Sequence, residues 1–361
     1  MRLLVRPIVT FASSWLAQGL VAGLPACARA CLIATTRGLT RNGPPVLAVP
    51  GGVLDSRSHA ELARLCPDGY AVIDSADIQP TDRCIPGEAL VASGAATWPG
   101  RAVPEGDGSW IESYYKINSE AKLRADLRRA SWDLVKASGK PSDGIVSRHL
   151  NRPISMRLSF AFLHLPWMRP GHATTLTAIC ALAMFAALVS GTTEGLLAGA
   201  VLFQLASIVD GVDGEIARVT RRGTRSGATL DSITDGFTNV GFIVGLATNL
   251  AVRGEPLALE IGLLGAASLA LGCVTLAVKA ARDGDAVNFD AVGNWLKQRS
   301  GSVQHILIAV TKRDFFALAS MVMIWLSLHL EWLLILSLSC VTWFFVVQFV
   351  SLQPKAKDLS S

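Results

Sequence analysis

The chain has 361 residues, 51% of them hydrophobic and 17% charged, with a mean hydropathy of +0.41 and a formal net charge of +5. Soluble domains carry about a quarter charged residues, so this composition excludes a purely soluble enzyme and a disordered chain. The excess of cations is too small and too dispersed for a nucleic-acid-binding protein.

The charge deficit is local. Residues 1–150 hold 17 Lys/Arg and 14 Asp/Glu, whereas the 211 residues that follow hold 16 and 14, mostly between long uncharged runs. Residues 1–139 therefore read as a small soluble α/β domain and the second part as a bundle of membrane spans. Met1–Gly23 places Arg2 and Arg6 before an apolar run, and small residues follow up to Ala30, which is the form of a secretory signal. Cleavage would export a region that the charge pattern keeps inside, so an uncleaved amphipathic or buried segment is expected. Pro45–Asp55 reads as a strand and turn, the stretch near His59–Leu65 as a helix, and Tyr70–Asp74 as a strand. The seven cysteines are scattered, with no CxxC or Cys/His cluster, and are expected to be reduced packing residues facing a reducing compartment. Cys27 and Cys31, four residues apart, lack the partners a metal would need and read as core.

Residues 140–169 form a linker. Within it, Asn151–Trp167 carries Ile154, Leu158, Ala161 and Leu165 at helical spacing, flanked by Arg152 and Arg157 and ended by Pro166 and Pro170. This predicts an amphipathic helix in the headgroup plane, the alternative being the start of a longer first span. Six charge-free windows then follow in residues 170–361: Pro170–Thr193, Gly195–Val209, Gly236–Val252, Ile261–Val278, Phe315–Leu330 and Trp332–Pro354. The first, at 24 residues, crosses about 30 Å of hydrocarbon unaided. The shorter ones need continuation through charged residues that face protein or headgroups. Six transmembrane helices is the economical count. Threading them alternately puts 15 of the 16 cations after residue 150 on one side and leaves Arg253 on the other. The positive-inside rule makes the crowded side cytoplasmic, together with the N-terminal domain and the C-terminus, as in a multi-pass protein of the cell inner membrane. Lys279–Arg313 is a polar cytoplasmic stretch with a second interfacial helix expected near Val292–Leu296. His172 suits a helix-start role, and Trp325, Trp332 and Trp343 suit interface or packing positions. Lys279, Arg282, Lys312 and Arg313 serve either as topological anchors or as contacts to an acceptor phosphate.

The string that carries chemistry is Asp210–Asp235, DGVDGEIARVTRRGTRSGATLDSITD. Asp210 and Asp213 are spaced i, i+3 and Asp231 and Asp235 i, i+4, so each pair projects from one helix face. The short basic turn Val219–Ser226 makes the two helices antiparallel neighbours and brings the four carboxylates together. Clustered carboxylates at the end of membrane spans repel one another and lose hydration. Divalent cations remove that cost, and hard oxygen ligands without His or Cys fit Mg²⁺ or Mn²⁺ and disfavour zinc. Two ions would suit a phosphoryl or pyrophosphate centre under attack. Gly214 and Gly227 let a ligand or backbone approach closely, and Ala217 keeps the face shallow. Arg218 can meet phosphates by forked hydrogen bonding, and Arg221, Arg222 and Arg225 act either in the same way or as inside-positive anchors. Intramembrane carboxylates also mark ion paths, so a cation transporter or channel is the alternative class, although here all four lie at one end of the spans.

The string matches every fixed position of D-x2-D-G-x2-A-R-x8-G-x3-D-x3-D and resembles the signature of the CDP-alcohol phosphotransferase family over roughly Lys140 to the C-terminus. The resemblance implies transfer of a substituted phosphate from a CDP-alcohol donor to an alcohol hydroxyl, with release of CMP, in phospholipid or polar-headgroup biosynthesis. It implies further that Asp210, Asp213, Asp231 and Asp235 hold two metal ions and that Asp235 is also the general base. Gly214, Ala217, Arg218 and Gly227 would border the CDP together with Asp210, Asp213 and Asp231, in a homodimer whose site opens to the cytoplasm. The linker Lys140–Ser155, KPSDGIVSRHLNRPIS, is similar to that of fused inositol-1-phosphate cytidylyltransferase and di-inositol-phosphate-phosphate synthase proteins. This adds CDP-inositol to CDP-diacylglycerol as an expected donor and an inositol or polyol phosphate as an expected acceptor. Residues 1–139 would then be a reduced nucleotidyltransferase-like domain. They have no Gly-rich loop followed by a basic residue in the first 50 positions, and Gly51–Gly52 stand where a metal-binding Asp is expected, so the domain is expected to be inactive.

Overall fold

A computed structural model describes residues 7–39, 43–95, 103–140, 143–284, 287 and 312–352. The chain divides into two compact units, one of residues 1–139 with 158–168, the other of residues 140–157 with 169–361. The 140–169 segment is thus shared between them.

The first unit is α/β. Strands β1 (Ile8–Thr10), β4 (Val46–Val49), β5 (Ala71–Asp74) and β6 (Cys84–Pro86) form one parallel sheet in the order β5-β4-β1-β6, and β2 (Leu20–Val21) pairs with β3 (Leu24–Pro25) as a separate hairpin. All four residues of β4 are buried, as a strand covered on both faces must be. Helices α1 (Ser14–Gln18), α2 (Ala26–Thr36), α3 (Ser56–Leu65), α4 (Gly87–Ala95), α5 (Gly108–Ile117) and α6 (Glu120–Lys136) complete it. The apolar run that resembled a signal contributes β1, the internal strand between β4 and β6, together with the buried Leu16 and Ala17 of α1. Cys27, Cys31, Cys66 and Cys84 are buried, the first three in the core cluster of this unit.

The chain passes from β1 to β4 on one side and returns from β5 to β6 on the other, so the strand order reverses at the β1/β6 boundary, the place where open parallel sheets bind ligands beyond the carboxyl ends of their strands. Here that place is filled by the protein's own groups. The Ala12 N–H donates to Glu88 Oε1 at 2.9 Å, and the Tyr115 hydroxyl lies 3.1 Å from Glu88 Oε2 and 2.8 Å from the Thr10 carbonyl. The Ser13 hydroxyl donates to Glu120 at 3.0 Å.

Glu88 is fully buried, and loss of hydration pushes its carboxyl up to about 7 against the hydrogen bonds from Ala12 and Tyr115. An acid raised on folding keeps its proton in the native state over a pH range where the unfolded chain has lost it, so stability falls as pH rises through that range. The N-terminal unit is therefore expected to lose about 3 kcal/mol of stability between pH about 4.5 and about 8. Glu88→Gln should flatten this dependence. Hydrogen exchange of β1 and α4 amides in the full chain, corrected for intrinsic rates, checks it; an unchanged slope in the variant would contradict it.

The second unit is helical. It contains the first residues of α7 (Arg152–Phe162), then α8 (Pro170–Val189), α9 (Thr193–Thr220), α10 (Arg225–Val252), α11 (Pro256–Asp283), α12 (Arg313–Trp325) and α13 (His329–Ser351). Four of these, α8, α9, α11 and α13, are long and apolar enough to cross a membrane. Helix α10 carries Arg225, Asp231 and Asp235 in its first half, and α12 has 13 residues, so neither meets that measure. The fifth charge-free window is not one helix: Ser327 adopts φ +61° in a turn after Trp325, and the Leu328 N–H closes back onto the Met323 carbonyl. Leu330 belongs to α13. The helical core is built around Met184, Leu188, Phe203, Phe242 and Leu246, with Phe203 and Phe242 stacked at 4.2 Å. The expected helix near Val292–Leu296 lies outside the described residues.

One flank of the expected interfacial helix is corrected. Ile154, Ala161 and Leu165 are exposed, but Arg152 is 9% exposed, bound within protein and not turned towards headgroups.

Candidate active site

Helix α9 runs unbroken through Asp210, Asp213 and Gly214 to Thr220, because no proline interrupts it and Thr192 caps its start with a 3.0 Å bond from the Gly195 N–H. It ends at Arg221, a non-glycine residue at φ +53°, whose conformation lets the Arg222 N–H reach the Ala217 carbonyl at 2.9 Å. The chain then reverses, and Thr224 caps α10 by accepting the Gly227 N–H at 3.0 Å. Both carboxylate pairs thus sit about two to three turns from this reversal.

Asp210, Asp231 and Asp235 each present a carboxylate oxygen such that all three oxygens lie within 4.8 Å of one another. Asp213 is more deeply set. Its Oδ2 accepts the Thr174 hydroxyl of α8 at 2.7 Å, and its side chain reaches Asp231. Arg313, the first residue of α12, enters the same cluster: its Nη1 bonds Asp235 and lies 3.1 Å from Asp210 Oδ1. Of the four cations left open between anchoring and ligand contact, Arg313 is therefore part of the acidic cluster. Lys279 instead caps the end of α13, 3.2 Å from the Ser351 carbonyl.

Gly214 has a local reason. A Cβ there would stand 2.9 Å from Arg218 Nη1, so the missing side chain makes room for the guanidinium to lie along the helix. Ala217 is half-buried and Gly227 exposed at the start of α10. An open surface hollow of about 680 Å³ is lined by Arg225, Ser226, Thr229, Leu230 and Ile233, which share the face of α10 turned away from Asp231 and Asp235. His172 has the helix-start role: its Nδ1 accepts the Arg169 N–H at 3.2 Å.

Sequence reasoning missed Thr174, Asp143 and Glu215. Arg152 forks onto Asp143 through Nε at 2.7 Å and Nη2 at 2.9 Å, and reaches the buried Glu215 through Nη1 at 2.7 Å. Burial alone would raise the Asp143 carboxyl, but the Arg152 guanidinium outweighs it and holds that group below the usual carboxylate range.

The donor set fits a hard divalent cation. Among the described residues the cluster offers carboxylate oxygens from three aspartates, with Asp213 beside Asp231, and no nitrogen or sulfur ligand.

Residues 167–348, about half of the chain, match the family model for CDP-alcohol phosphatidyltransferase. The chain is 39% identical over 130 residues to a protein of Aquifex aeolicus named bifunctional IPC transferase and DIPP synthase, covering 35% of this chain and 28% of that one. A protein of the same name from Thermococcus kodakarensis is 37% identical over 140 residues, 38% of this chain and 31% of its own length. One from Archaeoglobus fulgidus is 38% identical over 129 residues, 36% of this chain and 25% of its own. These matches span less than a third of the relatives' length.

Proposed function

Because the chain belongs to the CDP-alcohol phosphatidyltransferase family, we propose that it transfers a substituted phosphate from a CDP-alcohol to an alcohol hydroxyl and releases CMP. The observation that carries this is the convergence of Asp210, Asp231 and Asp235 from two helices onto one point. Asp210, Asp213, Asp231 and Asp235 would hold two Mg²⁺ or Mn²⁺ ions. Bound there, the metals would supply Lewis-acid stabilisation to the pyrophosphate as it breaks.

The remaining work falls to the chain's own groups. Asp235 takes the proton of the acceptor hydroxyl as its oxygen forms a bond to the β-phosphorus, which keeps the donor alcohol. The phosphorus–oxygen bond to CMP breaks. Arg313, bonded to Asp235 and Asp210, holds the base in place and balances part of the local negative charge. Gly214, Ala217, Arg218 and Gly227 border the CDP, with Arg218 meeting its phosphates through a forked guanidinium.

The relatives' names favour an inositol-related donor, CDP-inositol, over CDP-diacylglycerol, with an inositol phosphate or another polyol phosphate as acceptor. We infer six spans in the inner membrane, with α10 and α12 completing the four that suffice alone, and α7 at the cytoplasmic headgroups. The chain would work as a homodimer with its site open to the cytoplasm. A screen of both donors against inositol phosphates, glycerol phosphate and free inositol, read by mass spectrometry of the product, tests the substrate class. A phosphodiester of two inositol phosphates is expected, and product from CDP-diacylglycerol alone would overturn the inositol reading.

Residues 1–139 would be a reduced nucleotidyltransferase-like domain without activity. Glu88 and Glu120 stand where a nucleotide phosphate would approach the first βα turn, and they already occupy the Ala12 N–H and the Ser13 hydroxyl that would bind it. The full chain incubated with CTP and inositol 1-phosphate is expected to release no pyrophosphate; robust release would refute this.

A further inference from the structure

The residues just before the first span make contacts that the proposed chemistry does not use. On α9, Gln204, Ser207, Gly211 and Glu215 recur every three or four residues and so share one helix face. With 3.6 residues per turn, Glu215 lies about 140° round the helix from Asp210. This is a second polar stripe, behind the acidic one.

The stripe is read by three partners within five residues, Asn151, Arg152 and Ser155. Gln204 Nε2 donates to Asn151 Oδ1 at 2.8 Å, and Asn151 Nδ2 donates to Ser207 at 3.2 Å. Arg152 Nη1 donates to Glu215 at 2.7 Å and lies 3.4 Å from the Gly211 carbonyl, while the Ser155 hydroxyl donates to the same Glu215 oxygen at 2.7 Å. Gly211 permits this approach, since a Cβ there would stand 3.2 Å from Arg152 Nη1. Glu215 is fully buried, and Arg152 is anchored from the other side by its fork onto Asp143. Five residues earlier, the Ser147 N–H donates to Asp314 at 2.5 Å, and Asp314 follows the Arg313 that bonds Asp235.

Apolar packing tolerates a small rotation of a helix about its axis, whereas a buried carboxylate held at one oxygen by both a guanidinium and a hydroxyl, the guanidinium being itself pinned by its fork onto Asp143, does not. We propose that Arg152 is a positioning residue: by gripping Glu215 and Gly211 on the back of α9, it fixes the helix's rotation and so aims Asp210 and Asp213 at the reacting centre. Asn151 and Ser155 set the same register. Glu215 falls at a position the family signature leaves unspecified, and its partners Arg152 and Ser155 lie in the linker before the first span. The inference rests on the functional reading above.

Two variants of the full chain in nanodiscs test it, each read by kcat, KM for the donor, thermal stability and Mn²⁺ affinity by electron paramagnetic resonance. Glu215→Gln leaves Arg152 paired with Asp143, so it remains readable if the second variant fails to fold. It is expected to lower kcat about tenfold with KM within about twofold of wild type, and to weaken Mn²⁺ binding about tenfold. The triple variant Asp143→Asn, Arg152→Met, Glu215→Met replaces the ion cluster with groups of similar volume, which restores stability without restoring the grip. Its kcat is expected to fall about 100-fold while its melting temperature stays near wild type. Wild-type kcat and Mn²⁺ affinity in either variant would overturn the proposal. A wild-type protein that neither binds Mn²⁺ nor releases CMP would instead overturn the functional reading.

Discussion

Asp235→Asn is expected to cut CMP release from a CDP-alcohol by about 10²- to 10⁴-fold, the range over which a positioned general base acts. The amide keeps the size of the side chain and leaves Arg313 its second partner, Asp210 at 3.1 Å, so the helix ends should remain together. What the amide cannot do is accept the acceptor hydroxyl's proton. KM for the donor should change little, because binding the CDP is assigned to Gly214, Ala217, Arg218 and Gly227. Steady-state kinetics on the purified variant give both numbers. A kcat within threefold of wild type would remove Asp235 from the role of base.

Chelation of divalent ions is expected to abolish turnover, with Mg²⁺ or Mn²⁺ restoring it and Zn²⁺ failing to. Three carboxylates converge within 4.8 Å and the fourth, Asp213, lies against Asp231, while the guanidinium of Arg313 bridges only two of them. Their mutual repulsion leaves a strong demand for positive charge, and an all-oxygen set answers it with a hard cation. A readout independent of turnover is available, since Mn²⁺ bound at the cluster broadens its resonance. Asp231→Asn should weaken that signal, whereas full activity in chelator at metal-free conditions would contradict the assignment.

Local spacing made the acidic cluster readable. The pairs at i, i+3 and i, i+4 on either side of a short basic turn need only helical geometry to converge. The remainder of the site depends on residues distant in sequence. Glu215 occupies a variable position of the motif, and its partner Arg152 lies 63 residues earlier, in a segment whose apolar spacing pointed to the membrane surface. Thr174 looked like any small polar residue in a span, and Arg313 like any cytoplasmic anchor, until their contacts to Asp213 and Asp235 were placed. In the N-terminal unit the elements at Val46–Val49, Ser56–Leu65 and Ala71–Asp74 follow from pattern. The sheet order does not, because its internal strand β1 is three residues within a run that resembles a targeting signal. Two of the six expected spans are not long and apolar enough by themselves for a related reason: charge-free windows mark apolar length, whereas helix α10 continues through its own aspartates and the fifth window breaks at a left-handed Ser327.

The most direct measurement is CMP release by the purified full chain in sealed vesicles with Mg²⁺, offered CDP-inositol and CDP-diacylglycerol with and without polyol phosphate acceptors, with divalent-ion flux followed in the same vesicles. Acceptor-dependent CMP release without ion flux is the expected result. Ion movement with no CMP from any CDP-alcohol would make the four aspartates part of a conduction path and contradict the transferase.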